Sequence, residues 1–256
     1  MIVKEGETVE GHHLVGLIGE GHYGQVWKAE YLGQPVALKL FTSRARSSHV
    51  RNEALAQYHL GRLSGDEGRF FPRVEHVDLE AKTPYMRMEL VDGEPLEEFL
   101  ADPARTLEDR LSIGGKILEA LGVVHRNDLV HGDLSPMNIL VTPGGEVKLL
   151  DVGFGKIFDE GNDPVPSAMA NDTALGVASP LYAAPERFQS EFLNGCGKSS
   201  DLFSFGKVLY RLITGENPFV IKPVSRKFPA LGDSGDRFVF RCLEDRPEDR
   251  DRKSVV

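Results

Sequence analysis

The stretch HGDLSPMNIL at residues 131–140 constrains this chain more than any other. It is too short and too interrupted by proline to form a helix, and it carries Asp133 and Asn138 close together on the chain. A strand-like run at 146–150 follows and ends at a second acid, Asp151. One acid of such an arrangement can accept a proton from an attacking hydroxyl, while the other acid and the amide hold a divalent cation against phosphate oxygens. Taken alone, the pattern also fits an ordinary polar turn followed by a strand end.

A glycine-rich segment near the N-terminus gives the second constraint. Residues 18–26, IGEGHYGQV, have the pattern G-x-G-x-x-G-x-V. In a dinucleotide-binding fold a helix follows such glycines, but here residues 25–30 alternate in polarity like a strand. Glycine lets the backbone approach phosphates closely because no Cβ intervenes. The segment therefore predicts a strand–turn–strand lid over the phosphates of a nucleotide.

A lysine at the end of an apolar strand follows this loop. Lys39 ends the run VALK at 36–39, and a lone lysine in such a position most often reaches solvent. Its place shortly after the glycine-rich segment resembles that of a lysine that binds the phosphates of a nucleotide. A lysine with that role needs a carboxylate to position it, and Glu53 is the only acid of the helix predicted at 48–62. The sequence thus predicts a Lys39–Glu53 ion pair.

A long amphipathic helix is predicted at 106–127. Its apolar residues recur at helical spacing, and Thr106 with Asp109 forms a capping-box pattern at its start. A Gly-Gly pair at 114–115 lies inside this helix and costs about 2 kcal/mol of helix propensity relative to alanine. We interpret the pair as a place where a neighbouring element packs closely.

A second helix and two strands complete the elements that the pattern predicts. Residues 200–214 are apolar on most faces, which is typical of a buried helix, and Gly215 follows as its C-terminal cap. Residues 70–79 and 83–91 are predicted to be strands. The second of these runs leads into a turn at Asp92.

The composition narrows the classes of function. The net charge of −9 and a pI near 5.4 argue against nucleic acid as the main partner. No apolar run is long enough for a membrane span, and the N-terminus has no apolar signal region. Cys196 and Cys242 lack the spacing of a metal site and indicate reduced thiols. We therefore predict a cytoplasmic protein with neither a nucleic-acid nor a membrane partner.

In their order along the chain, these motifs resemble those of a eukaryotic-type (Hanks-type) Ser/Thr protein kinase domain. The resemblance rests on the glycine loop, Lys39, Asp133 with Asn138, Asp151, and an Ala-Pro-Glu triplet at 184–186. Each motif is modest alone, but together and in this order they are specific, and they cover nearly the whole chain.

The resemblance implies a bilobal, protein-kinase-like α+β fold. A small, mostly antiparallel β N-lobe at 1–91 would contain the glycine loop, the Lys39 strand and the Glu53 helix. A mainly helical C-lobe at 92–256 would contain the catalytic loop, the metal loop, the activation segment and the buried helix at 200–214.

The resemblance also implies a role for each residue of the site. Asp133 would orient and deprotonate the acceptor hydroxyl. Asn138 and Asp151 would hold Mg²⁺ or Mn²⁺ against the phosphates of ATP. Lys39, positioned by Glu53, would bind the α- and β-phosphates.

Residues 86–93 resemble the strand and hinge of a kinase. Met88 would stand beside the adenine, and the carbonyl of Glu89 and the N–H of Val91 would hydrogen-bond its edge. The residues implied in ATP binding are Ile18, Gly19, Glu20, Gly21, Gly24, Val26, Ala37, Lys39, Met88, Glu89, Val91 and Leu140.

Three further residues match kinase positions that hold the large lobe together. Asp201 would tie down the catalytic loop, and Arg250 would pair with Glu186. The chain stops soon after Arg250, so we expect either a trimmed lobe or a further segment in a longer chain.

The sequence departs from the kinase pattern at Gly132, Ser135 and Val152. Many kinases have arginine at the position of Gly132, where its side chain binds a phosphate of the activation segment. We therefore predict that the unphosphorylated chain is active. Ser135 stands where Ser/Thr kinases have a lysine for the γ-phosphate, and it offers a hydrogen bond without a charge. Val152, which replaces a phenylalanine, is a milder change in packing.

The segment from 151 to 186 is rich in Pro, Gly and Asn, which predicts a loop. Ser167 and Thr173 are candidate autophosphorylation sites, although exposed hydroxyls in loops are usually only solvated. Residues 178–182 resemble the peptide platform of Ser/Thr kinases, and Ser179 there favours Ser/Thr over Tyr acceptors.

Three hypotheses for function follow. The leading one is a Ser/Thr protein kinase that transfers the γ-phosphoryl group of ATP to protein substrates and to itself. The second is a small-molecule phosphotransferase, because HGDLSP also resembles aminoglycoside, choline and RIO-like kinases. The third is a nucleotide-binding pseudokinase that regulates a partner, which the presence of Lys39, Asp133 and Asp151 disfavours.

Overall fold

The structure is a computed structural model, and it describes residues 3–21, 24–41, 48–152, 181–188 and 197–250. The chain divides into two compact units, Met1–Asp92 and Gly93–Val256. Four residues considered above lie outside the described residues, namely Ser167, Thr173, Ser179 and Cys196.

An antiparallel sheet forms most of the first unit. Its strands are β1 (Thr8–Val9), β2 (His12–Gly21), β3 (Gly24–Tyr31), β4 (Gln34–Phe41), β5 (Val74–Asp78) and β6 (Tyr85–Glu89). They follow the order β1-β2-β3-β4-β6-β5. The N-terminal half of the unit is thus a set of hairpins, as its alternating pattern predicts.

Strand β4 lies in the middle of this sheet and is buried from residue 36 to residue 41. Leu38 and Leu40 pack in one apolar cluster with Leu14 of β2. Ala37 and Phe41 face the other side and pack against helix α1 (Ser48–Leu60). A strand covered on both faces reads as a continuous apolar run, which explains the VALKLF sequence.

The strand predicted at 70–79 is only partly correct. Phe70 ends a 3-10 turn at Gly65–Phe70, and β5 begins at Val74. Phe70 and Phe71 are each 1 % exposed, so these aromatic residues enter the core ahead of the sheet. The strand predicted at 83–91 is β6, shortened at both ends.

The second unit is mainly helical. Its helices are α2 (Leu96–Ala101), α3 (Leu107–Arg126), α4 (Lys198–Thr214) and α5 (Gly232–Cys242). A small antiparallel sheet joins β7 (Glu94–Pro95), β8 (Ile139–Val141) and β9 (Val147–Leu149). Helices α3 and α4 pack together, as do α4 and α5.

Helix α3 begins as its sequence predicts. Thr106 is the N-cap: its hydroxyl accepts from Asp109 N–H at 3.1 Å, and Asp109 Oδ2 accepts from Thr106 N–H at 2.8 Å. The interpretation of the Gly-Gly pair is right for one residue only. A Cβ at Gly114 would lie 3.1 Å from Leu209 Cδ1, whereas a Cβ at Gly115 would meet nothing within 4 Å.

Helix α4 is buried along nearly its whole length, and Gly215 ends it with a φ of 69°. The prediction of a buried helix capped by this glycine is confirmed.

Cys242, at the end of α5, is 1 % exposed, and burial raises the pKa of its thiol to about 12. Among the described residues, no helix combines the length and the apolar character that crossing a bilayer requires.

Candidate active site

Lys39 and Glu53 meet inside the first unit. Lys39 lies on the face of β4 that packs against α1, because it shares that face with Ala37 and Phe41. Its Nζ donates a hydrogen bond to Glu53 Oε1, and the two side chains are 6 % and 1 % exposed. An ammonium group is stable in such a place only when a carboxylate pairs with it.

The glycine loop is the turn between β2 and β3, with residues 22 and 23 outside the described part. Gly21 pairs with Gly24, and Glu20 pairs with Gln25. A Cβ at Gly24 would lie 2.0 Å from the carbonyl oxygen of Leu40, so only glycine fits there. A strand follows the glycines, as the sequence predicts, and the helix of a dinucleotide fold does not.

The other residues that the resemblance assigns to ATP lie as follows. Ile18 and Glu20 are exposed, Gly19 and Val26 are half-buried, and Val91 follows β6 in a half-buried position. Ala37 and Met88 are cross-strand neighbours on β4 and β6, and they are 7 % and 8 % exposed. The N–H of Glu89 donates to the carbonyl of Arg73 at 2.9 Å, and the N–H of Arg73 donates to the carboxylate of Glu89 at 3.0 Å.

In the second unit, Asp133 and Asn138 are bound to each other. Asn138 ends a 3-10 turn at Pro136–Asn138, and its N–H donates to the carbonyl of Ser135 at 3.0 Å. Its side-chain Nδ2 donates to the carbonyl oxygen of Asp133 at 2.8 Å and to Asp133 Oδ2 at 3.1 Å. The amide group thus fixes the carboxylate of Asp133 within the loop.

The β8–β9 hairpin brings Asp151 to the same end of the small sheet as Asn138. Ile139 pairs with Leu149, and Leu150 N–H donates to the Asn138 carbonyl at 2.9 Å. Because the strands are antiparallel, the residue before β8 and the residues after β9 are neighbours. Asp151 itself has a φ of 53°, a left-handed conformation that non-glycine residues adopt uncommonly.

Asp201, near the start of α4, binds the loop that leads to Asp133. Its carboxylate accepts from the N–H groups of His131 and Gly132, both at 2.9 Å, and lies 2.8 Å from His125 Nε2. Burial alone would raise the pKa of Asp201, but the hydrogen bond and charge of His125, with smaller effects of His131 and Gly132, lower it. The tie between this residue and the loop, which the sequence predicts, is present.

His131 is fully buried beside this carboxylate. Its Nδ1 accepts from Asp133 N–H at 3.3 Å. Burial lowers the pKa of His131, the carboxylates of Asp201 and Asp151 oppose that effect, and the charge of Arg187 adds to it. The imidazole is therefore neutral and acts as an acceptor inside the loop.

Glu186 and Arg250 form the predicted ion pair. Arg250 Nη1 and Nη2 donate to the two carboxylate oxygens at 2.6 and 3.0 Å, and Ser200 Oγ donates to the same carboxylate at 2.8 Å. Both charged residues are nearly inaccessible to solvent. Such a bidentate, buried pair fixes the turn at Pro185–Phe188.

The residues of the second unit fit a divalent cation. The amide nitrogen of Asn138 is used by Asp133, so the amide oxygen is the atom left for a metal. Amide and carboxylate oxygens are the ligands that Mg²⁺ prefers, and Mg²⁺ usually takes few protein ligands together with phosphate oxygens. Within the described part of the chain, no group of three or more His, Cys, Asp or Glu side chains forms a metal site.

Ser135 lies in the loop with only 4 % of its surface exposed. Two residues that bind this loop region were not predicted from the sequence. They are His125, which contacts Asp201, and Arg187, whose guanidinium donates to the carbonyl of Gly132. The position of Arg187 directly after the Ala-Pro-Glu triplet was the available signal. Nothing in the sequence marks His125 apart from the other polar residues of α3.

The comparisons with known proteins agree with this geometry. A sequence model of the family described as "protein kinase domain" matches residues 12–250. The serine/threonine-protein kinase PknA of Mycobacterium tuberculosis is 32 % identical over 238 residues, which cover 86 % of this chain and 50 % of that protein. Serine/threonine-protein kinase 36 of Mus musculus is 30 % identical over 220 residues, covering 82 % of this chain and 15 % of that protein.

A probable serine/threonine-protein kinase of Streptomyces coelicolor is 32 % identical over 263 residues, covering 96 % of this chain and 35 % of that protein. The chain thus spans half or less of the length of these curated relatives. It belongs to the protein kinase domain family, and the predicted kinase-like α+β fold is confirmed. Protein kinase domains use ATP and a divalent metal ion.

Proposed function

We propose that this chain is a Ser/Thr protein kinase that transfers the γ-phosphoryl group of Mg-ATP to hydroxyl groups of proteins. The observation that carries the proposal is the Asp133–Asn138 interaction, in a chain whose kinase-family match spans residues 12–250. The curated relatives are Ser/Thr kinases by name, which supports protein hydroxyls as acceptors.

The second unit contributes the groups that act on the acceptor. Asp133 orients the attacking hydroxyl and takes its proton as the oxygen bonds to the γ-phosphorus. The bond from that phosphorus to the β–γ bridging oxygen breaks, and ADP leaves. Asn138 and Asp151 would hold Mg²⁺, which supplies positive charge to the phosphate oxygens when it is bound.

The first unit contributes groups that bind the nucleotide. Lys39, held by Glu53, binds the α- and β-phosphates, and the glycine loop at residues 20–24 covers the phosphates. Met88, Glu89 and Val91 receive the adenine. Buried, positioned charges of this kind act by fixing and neutralising the triphosphate, and they take no part in covalent chemistry.

Two departures from the kinase pattern shape the proposal. Gly132 offers no side chain to a phosphorylated activation segment, so the unphosphorylated chain is active. Ser135 gives no positive charge to the γ-phosphate, which lowers the intrinsic rate compared with kinases that have lysine there. The kinase also phosphorylates its own hydroxyl groups.

The test is transfer of label from γ-labelled ATP and Mg²⁺ to a generic protein acceptor, with identification of the labelled amino acid. We expect phosphoserine and phosphothreonine. Asp133→Asn should lower the rate by about 10²- to 10⁴-fold, because it removes the proton acceptor and keeps its shape. Asp128→Asn is the matched control, because Asp128 is an acid of the same unit whose side chain is 88 % exposed.

The alternatives predict other outcomes. Consumption of ATP with a small hydroxylated acceptor and not with protein would show a small-molecule phosphotransferase. Binding of ATP without transfer to either acceptor would show a nucleotide-binding regulator. A rate of protein labelling that Asp133→Asn leaves unchanged would contradict the role of Asp133.

A further inference from the structure

The backbone that leads into Asp133 is held by side chains from outside the loop. Asp201 accepts from the N–H groups of His131 and Gly132 at 2.9 Å. On the next peptide group, the guanidinium of Arg187 donates to the Gly132 carbonyl oxygen. The peptide groups on both sides of Gly132 are therefore fixed, one by an anion and the other by a cation.

Residue 132 cannot supply this restraint itself. It has no side chain, and its φ of 79° is a conformation that other residues adopt only with strain. Glycine also has the largest backbone freedom to lose when a loop is ordered. A catalytic aspartate placed directly after such a residue needs a restraint from elsewhere in the fold.

Arg187 comes from a well-anchored part of the second unit. It lies in the turn at Pro185–Phe188, and its N–H donates to the Ala184 carbonyl at 3.0 Å. The residue before it, Glu186, is 3 % exposed and binds Arg250 through two hydrogen bonds. The half-buried guanidinium is thus presented to the loop from a fixed backbone.

We propose that Arg187 is a positioning residue of the catalytic loop. Together with Asp201 and Asn138, it holds Asp133 in its working place, and it does so by binding the Gly132 carbonyl. The interaction runs directly from guanidinium to backbone, so it requires no phosphate on the activation segment. A charged donor on a partly buried carbonyl is among the stronger hydrogen bonds in proteins. The kinetic consequence rests on the proposed kinase function, but the effect on the loop itself does not.

Hydrogen–deuterium exchange of the backbone amides at 131–138 tests the restraint without reference to activity. We expect faster exchange in Arg187→Ala and Arg187→Met than in the wild type, and an intermediate rate in Arg187→Lys, which keeps a charged donor. Arg241→Ala, which alters an exposed arginine of α5, should leave this loop unchanged. Unchanged exchange in all the Arg187 variants would overturn the proposal.

Kinetics of the phosphatase-treated chain give the second readout. Arg187→Ala should lower kcat by about 10- to 100-fold, the loss of one charge-assisted hydrogen bond, and leave KM for ATP within about twofold. Millimolar guanidinium should restore part of the kcat of Arg187→Ala and none of that of Asp133→Asn. A kcat within twofold of wild type would overturn the positioning role. If the wild type transfers no phosphate, the proposed kinase function fails. The exchange experiment alone then decides whether Arg187 restrains the loop.

Discussion

Lys39 and Asp133 are fixed by different kinds of interaction. The place of Lys39 follows from strand period and from one acid on one helix, so the sequence could predict its pairing with Glu53. The carboxylate of Asp133 binds the amide of Asn138, but the loop before it is held through backbone groups that accept from Arg187 or donate to Asp201. Contacts to the backbone leave no complementary side chain to find in a sequence. The tie of Asp201 was predicted only from the family resemblance, which gave no such role to Arg187.

The left-handed backbone conformation of Gly132 predicts a loss of stability when a side chain is introduced there. Gly132→Ala should lower the free energy of unfolding by about 1–2 kcal/mol, because its φ of 79° places the new Cβ against the following carbonyl. Urea denaturation measures the change. Gly144→Ala is the matched control in a turn of the same unit, because a Cβ there meets only Thr142 Oγ1 at 3.8 Å. An equal cost for both variants would contradict the argument.

Helices α3 and α4 were predicted better than strand β5, and the reason is chemical. The N-cap at Thr106 is a local signal for the start of α3, and the Gly215 cap is a local signal for the end of α4. The pair Phe70 and Phe71 has strong strand propensity, but both rings pack in the core before β5 begins. Burial of aromatic side chains overrides β-propensity there, and nothing local reveals it.

The two glycines of the Gly-Gly pair in α3 should respond differently to substitution by alanine. Gly115→Ala should raise the free energy of unfolding by about 0.5–1 kcal/mol, because the new methyl group meets nothing within 4 Å and alanine favours the helix. Gly114→Ala should lack this gain, because its Cβ would lie 3.1 Å from Leu209 Cδ1. The two variants are each other's control in urea denaturation, and equal stabilisation would refute the packing argument.

Across the whole molecule, each unit contains a histidine with no exposed surface and a lowered pKa. Burial and the charge of Arg87 keep His12 neutral, against a hydrogen bond to the Val9 carbonyl, and its ring stacks on Tyr31 at 4.7 Å. His131 is neutral in the second unit for the reasons given above. The sequence showed neither environment, because both depend on residues that are distant along the chain.

These histidines predict how stability depends on pH. A folded-state pKa below the unfolded value near 6.5 means that the unfolded chain takes up protons first, so stability is lost as the pH falls below about 6.5. Each histidine contributes a slope of at most about 1.4 kcal/mol per pH unit. Urea denaturation at about pH 7.5 and 5.5 should show the loss.

The variant His12→Phe distinguishes the contribution of His12 to the pH dependence of stability from that of His131. Phenylalanine keeps the aromatic stacking on Tyr31 and removes the titrating group, so the variant should lose less stability than the wild type over the same pH interval. The hydrogen bond to Val9 disappears at both pH values and does not affect the difference. An unchanged difference would rule out His12 as a source of the pH dependence.

The pair between Glu186 and Arg250 has a consequence for the order in which the chain acquires its structure during synthesis. The two residues are 64 positions apart, and the arginine emerges from the ribosome long after the catalytic loop and the turn at Pro185–Phe188. Until it arrives, Glu186 has no guanidinium to compensate its burial, so this turn cannot reach its final packing. The nascent chain therefore holds Asp133 in an unfinished setting, and the proposed transfer activity should arise only once translation has passed residue 250.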